Sequence, residues 1–247
     1  ESEISIGAGS RIESVETAIK IKGTGVRSYR GIEIIGKRAI DNGSSQTSIR
    51  DSEIEGQIQT SASGEIKIES SQVGEIEVTG QGRAEIIGSE IAGEKIEVKG
   101  SGIIEIEGSE IEIESGIEIG DSGKFVIDGS KINSGKGISK KGPESTKIIS
   151  SEIASGGVGI EIDGGELEIR ETKIGSNTDG IVINNDSRAK MRGVEIGSGK
   201  TAIRATGTGE VETDEIEIES KESGIEIGSE SEISIGAGSR IESVETA

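Results

Sequence analysis

The sequence predicts an all-β parallel solenoid, and three observations carry that prediction: an apolar phrase returning at a near-constant interval, strict alternation inside each phrase, and an almost aromatic-free composition. The phrase is clearest at Gly116-Ile117-Glu118-Ile119, Gly159-Ile160-Glu161-Ile162 and Gly224-Ile225-Glu226-Ile227. Its opening isoleucine recurs at Ile19, Ile40, Ile58, Ile76, Ile96, Ile117, Ile138, Ile160, Ile181, Ile203 and Ile225. Successive openings are thus roughly 20 residues apart, the period of a stacked supersecondary unit. This predicts about eleven rungs, each roughly 18–23 residues long, in one elongated domain over 1–247.

Each rung holds three short strands. The opening phrase supplies the first, as in Ile19/Ile21, Ile76/Val78, Ile96/Val98 and Ile181/Ile183, with the period-two alternation of a half-buried strand. A Gly/Ser/Asp/Asn turn leads to a second pair: Ile66/Ile68, Ala84/Ile86, Ile104/Ile106, Phe125/Ile127 and Leu167/Ile169. Five residues beyond that pair stands one apolar anchor: Ile54, Val73, Ile91, Ile111, Ile132, Ile153, Ile174 or Ile196. Strands this short, parted by Gly- and Ser-rich corners, cannot pair within their own rung. Each pairs with its counterpart in the next, which predicts three parallel sheets at about 4.8 Å per rung. No window keeps a 3.6-residue apolar period, so helices are not expected. The segment Arg27–Arg30 with Tyr29 breaks the template, and Asn42, Thr60 and Lys140 replace the second apolar residue of the opening phrase. Pro143 falls in a turn, where its missing N–H does least harm.

Composition agrees. The chain has 40 Gly, one Tyr, one Phe, one Met and no Trp, Cys or His, so its core is a narrow one of stacked β-branched side chains. A formal charge of −20 argues against nucleic acid or an anionic membrane as partner. No apolar run approaches the roughly 20 residues of a membrane span, and no stretch reads as a signal peptide. The regular isoleucine spacing argues against the disorder that acidic, aromatic-poor chains often show.

Two rows refine the rung. Two residues before the third-strand anchor stand Ser52, Ser71, Ser89, Ser109, Ser130, Ser151 and Thr172, which predicts an internal ladder of hydroxyls bonded to one another or to nearby backbone. Between hydroxyl and anchor, the outward position reads Glu110, Lys131, Glu152, Lys173, Glu195, a solvated ion-pair ladder that pins register. Residues 1–18, ESEISIGAGSRIESVETA, recur unchanged as 230–247. Natural duplications drift, so the identity marks a designed or consensus-like sequence. The two copies look like one joint rather than two caps, which predicts end-to-end self-association.

The rung pattern resembles the right-handed parallel β-helix of the pectate-lyase and polygalacturonase (pectin-lyase-like) superfamily, with irregular rungs, three sheets and a Gly-Ile opening strand. A left-handed hexapeptide helix would hold a strict 18-residue rung, which here only the steps from Ile40 to Ile58 and from Ile58 to Ile76 do. The likeness therefore implies a right-handed, single-stranded parallel β-helix. Asn177-Thr178-Asp179-Gly180, followed by Ile181, resembles the polygalacturonase motif whose Asp is one of three catalytic carboxylates. One rung on, where that family has an Asp pair, stand Lys200 and Thr201; the chain has no His, and no Arg-x-Lys clamp matches. Inverting hydrolysis needs a second carboxylate across the scissile bond. Asn177 and Asp179 are accordingly read as turn residues.

Other chemistry is not expected. Gly135-Lys136-Gly137 and Gly197-Ser198-Gly199-Lys200-Thr201 look like phosphate loops but lack the Gly spacing and the following helix. The stacked carboxylates Glu77, Glu97 and Glu118 are the best candidate for holding a Ca²⁺, with Lys95 and Lys99 at hand to neutralise them instead. The sequence is read as a structural scaffold and not an enzyme, with no catalytic, cofactor-binding or metal-binding residues, no cofactor, and no small-molecule substrate. Self-assembly is the alternative, and a degenerate polysaccharide-lyase-like, hydrolase-like or carbohydrate-binding β-helix the next.

Overall fold

The computed structural model describes residues 2–120 and 122–243. Among them every regular element is a strand, and every strand pair is parallel. The coil is built as the alternation requires: inward isoleucines of one rung lie directly on those of the next. All eleven opening isoleucines stand in one column, Ile19 on Ile40, Ile40 on Ile58, and so on to Ile203 on Ile225. The second strands form a twelve-stranded sheet running from Ser2–Ile6 through Lys124–Asp128 to Glu232–Ile235. The anchors form the third column, from Ile54 on Val73 to Ile196 on Ile218.

There are three strand columns, yet the first and third belong to one hydrogen-bonded sheet. In four rungs the chain passes from anchor to opening phrase without leaving strand geometry, along Glu33–Asn42, Glu53–Thr60, Glu90–Val98 and Glu110–Ile119. The turn is taken up by a bulge instead of a loop, as between Gly93 and Lys95.

Inside lies an apolar core of fully buried Ile, Val, Ala and Leu with Phe125. Burying a side chain of this size stabilises by about 1.5–3 kcal/mol, repeated rung after rung. Tyr29 and Arg27 do not break the template. They occupy the two inward positions of the second strand, above Ile49 and Thr47, and both are buried. Burial pushes the Tyr29 phenol above its ordinary pKa, with Arg27 pulling the other way. Asn42, Thr60 and Lys140 also point inward. Asn42 and Thr60 meet Ser45 and the Glu65 and Gly64 carbonyls in a buried hydrogen-bonded corner.

The hydroxyl ladder is present and has a specific grammar. Each Oγ donates to the carbonyl two residues earlier and accepts the N–H of the ladder residue one rung before. Thus Ser109 Oγ donates to Glu107 O at 2.9 Å and accepts from Ser89 N at 3.2 Å. The pattern runs from Ser52 to Thr172. The residue just before each hydroxyl has positive φ: Asp51, Ser70, Gly88, Gly108, Gly129, Ser150 and Glu171. That left-handed residue turns the corner and aims the following hydroxyl inward. Of the outward charge row, Lys131 pairs with Glu110 at 3.8 Å and Lys173 with Glu195 at 2.7 Å.

Candidate functional site

A shallow groove of about 1010 Å³ runs along the corner between the third strand and the next opening phrase. It spans six rungs, from Ala92 to Gly197, and is walled by Gly, Ala, Ser and Asn with Glu112 and Glu114. The groove exists because the corner residues are small. A Cβ at Gly135 would sit 1.9 Å from Glu114 O, and one at Gly199 2.0 Å from Asn177 O. Below it runs a second hydroxyl column, Ser134, Ser155, Ser176, Ser198 and Ser220, in register two residues after each anchor. Its signal was open in the sequence as Ile-x-Ser at 132–134, 153–155, 174–176, 196–198 and 218–220. Ser134 and Ser155 bind their own corner, Gly137 N donating to Ser134 Oγ and Ser155 Oγ to Val158 O. Ser220 Oγ donates instead to Glu242 O on the next rung, and the buried Ser198 Oγ has no hydrogen-bond partner among the described residues.

The Asn177–Gly180 turn lies at one end of the groove. Asn177 lines it, whereas Asp179 is turned in and 7% exposed. The Asp179 carboxylate accepts from Thr201 N at 3.3 Å and is paired with Arg204 at 3.1 Å. Arg204 also holds Glu226 at 2.7 Å. Lys200 and Thr201, the positions matching the family's Asp pair, put no carboxylate beside Asp179. Glu112 and Glu114 line the groove three rungs away from Asn177, at the pairing distance of Glu112 to Asn133, Asn133 to Ala154 and Ala154 to Gly175. Two carboxylates flanking one bond need about 5–9.5 Å, and three rungs amount to about 14 Å.

The remaining candidates are equally engaged. Glu77, Glu97 and Glu118 do stack on consecutive rungs. Lys99 Nζ bridges Glu77 and Glu97, both at 2.9 Å, and Lys95 Nζ holds Glu97 at 2.6 Å. Burial pushes the Glu97 carboxyl up, but the hydrogen bonds from Lys95 and Lys99 outweigh it and hold the group below its ordinary value. Among the described residues no three carboxylates gather into a cation site. The two glycine-rich turns offer no phosphate cradle at the N–H groups that a phosphate would use. Gly135 N donates to Ile113 O, Gly199 N to Ser176 O and Lys200 N to Thr178 O.

Lys140 is the buried basic group that the sequence placed on the inner row. It lies between Ile119 and Ile162, 1% exposed, and its Nζ donates to Gly142 O and to Gly164 O. Burial pushes its pKa down, with Glu144 pulling it up. A lysine so perturbed is a nucleophile where a substrate carbonyl reaches it. Here its donors end on interior carbonyls.

A protein family described as a right handed beta helix region matches residues 136–244. The chain is a right-handed parallel β-helix. The match covers the rungs with the longest and most even spacing, those opening at Ile138, Ile160, Ile181, Ile203 and Ile225. No curated protein and no solved structure matches the chain.

Proposed function

We propose that this β-helix is a structural scaffold of designed or consensus-like sequence, with no catalytic activity of its own. The observation that carries the reading is the state of Asp179: the one carboxylate in a family-like motif is clamped by Arg204 and Thr201 N, and the second acid at this place, Glu226, is held by the same Arg204 guanidinium, so both are tied up in one ion-pair cluster. The groove supports it too, since its walls bear no aromatic face and no cation for an acidic sugar. The chain is expected to need no cofactor and to bind neither nucleic acid nor membrane.

The test is isothermal titration and reducing-sugar release with polygalacturonate and a neutral polysaccharide, on the parent and on Asp179→Asn. Neither protein is expected to bind or cleave. Binding or cleavage by the parent that Asp179→Asn abolishes would establish the polysaccharide-active reading in place of the scaffold.

A further inference from the structure

The outermost strands of the twelve-stranded sheet, Ser2–Ile6 and Glu232–Ile235, belong to the two copies of the same 18-residue segment. Residue 1 and residues 244–247 of those copies lie outside the described residues. Elsewhere the copies share two strands and the turn between them, with strand bounds that differ by one residue. Ser10 Oγ donates to Gly7 O at 2.9 Å, and Ser239 Oγ to Gly236 O at 3.0 Å. Gly9 and Gly238 have φ of 80° and 75°. Arg11 pairs with Glu13, and Arg240 with Glu242.

Their surroundings are complementary. The copy at 230–247 is stacked from one side, Ile233 on Val211 and Arg240 on Glu217. The copy at 1–18 is stacked from the other, Ile4 on Arg27 and Arg11 on Glu33. The two sides use different backbone groups. Toward residues 209–216 the segment engages the amides of Glu232, Gly236 and Arg240 and the carbonyl of Ala237. Toward residues 31–38 it engages the amides of Gly9 and Ser14 and the carbonyls of Ser10 and Glu16. None of these groups is claimed twice, so one segment can satisfy both neighbours at once. The charges agree as well: the segment's arginine meets Glu217 at 3.0 Å on one side and Glu33 at 3.0 Å on the other. At two inward isoleucine positions the side chain is covered in one copy and bare in the other. Ile233 packs on the core while Ile4 is 47% exposed; Ile6 packs on the core while Ile235 is 46% exposed. In interior rungs such inward isoleucines are fully buried.

We propose that the segment is an exchangeable joint between two copies of this chain, which shares one segment between the 210–229 rung of one copy and the 19–42 rung of the next. This rests on the reading of the chain as a scaffold. Direct stacking of both copies would set Arg240 over Arg11 and Glu232 over Glu3, like charge on like charge, which disfavours it. Sharing one segment makes only pairs already present in this structure. Each chain's second copy then acts as a plug, because it occupies in cis the edge that another chain's segment fits. Exchange by itself conserves the number of stacked faces, so the parent assembles weakly; loosening one plug adds a stacked face to every joint. Repeated joints give rods with an axial repeat of about 53 Å, eleven rungs at about 4.8 Å.

The test is light scattering and electron microscopy of full-length chains over a hundredfold concentration range. Ile233→Asp with Ile241→Asp loosens one copy in place, leaving the other free to fill the edge. This variant is expected to assemble at a concentration at least tenfold below that of the parent, and excess 18-residue peptide of the segment's sequence is expected to return it to single chains. A scrambled peptide leaves it assembled. Adding Ile4→Asp and Ile12→Asp disables both copies and is expected to hold the chain monomeric. The proposal is overturned if the first variant stays monomeric, if the fourfold variant assembles as well, or if scrambled peptide dissolves the rods equally. Polysaccharide activity would sink the scaffold reading without changing these masses, so the two failures are distinguishable.

Discussion

Replacing Ser109 by Ala is the sharpest probe of what holds adjacent rungs in register. The substitution removes the hydroxyl that accepts from Ser89 N at 3.2 Å and donates to Glu107 O at 2.9 Å. The two losses are unequal. Glu107 O still accepts from Gly88 N at 2.9 Å, so the carbonyl stays satisfied. The Ser89 amide loses its acceptor where both Ser89 and Ser109 are at most 5% exposed and water cannot replace it. An unsatisfied buried donor costs about 1–3 kcal/mol, so Ser109→Ala is expected to destabilise by about 2 kcal/mol. Thr172 occupies the same corner at 2% exposure and makes both bonds, at 3.4 and 2.7 Å. Ser109→Thr is therefore expected to lie within about 1 kcal/mol of the parent, since it keeps the hydrogen bonds and adds one methyl. Urea unfolding measures the difference, and native-state hydrogen exchange reports whether the Ser89 amide alone loses protection. Equal stability for the Ala and Thr variants, or an unchanged Ser89 exchange rate, would refute the account of the ladder.

Two further predictions follow from the corners and from the interior. Glu171 turns its corner at φ 49°, where equivalent rungs use Gly88, Gly108, Gly129 and Gly193. Glu171→Gly is expected to stabilise by about 0.5–1 kcal/mol, because the left-handed conformation strains a residue with a Cβ by more than the extra entropy glycine loses; a lower urea midpoint contradicts it. For Lys140, burial sets the folded pKa below the unfolded value of about 10.4, so between the two the unfolded chain binds more protons and stability rises with pH. The difference in unfolding free energy between parent and Lys140→Met is therefore expected to move in the parent's favour as pH climbs toward about 10. A pH-independent difference would show that the ammonium is not penalised by its burial.

How much of this was legible depended on whether a feature repeats. The eleven opening isoleucines were readable because a parallel ladder at one residue per rung turns spacing directly into contact, and all eleven stack as spaced. The hydroxyl ladder was readable for the same reason, although its bonds run to backbone rather than from hydroxyl to hydroxyl. Corners were not. Whether Gly93 to Lys95 bends as a bulge or breaks as a turn is decided by backbone approach between rungs, which period-two alternation does not encode. Arg27 and Tyr29 looked like a fault because they are not apolar in the usual sense, yet their positions still alternate, and alternation decided which way they point. The Asn177–Gly180 turn shows the converse. Its four letters matched a catalytic motif, but what Asp179 does is fixed by Arg204 on the following rung, outside the motif altogether.

The departures from the repeat bear on function through their direction. A catalytic site on a solenoid requires unlike reactive groups facing outward on neighbouring rungs, because neighbours about 4.8 Å apart are the side chains close enough to act together. Here the outward charges follow the opposite rule. Lys67 meets Glu85 at 3.0 Å, Lys147 meets Glu168 at 3.1 Å, and Arg188 meets Glu210 at 2.9 Å, each across one rung. Each of these pairs ties a carboxylate to a cation one rung away and so favours one register. The irregular polar residues point the other way. Asn42, Thr60, Lys140 and Ser187 lie inside, bonded to carbonyls and amides of the corners they adjoin. An interior polar group in a stack of near-identical isoleucines distinguishes its rung from the next, since a one-rung slip would bury it without its partners. In a chain whose rungs are otherwise interchangeable, those residues specify which rung lies on which, and that ordering is what a scaffold of this length needs from them.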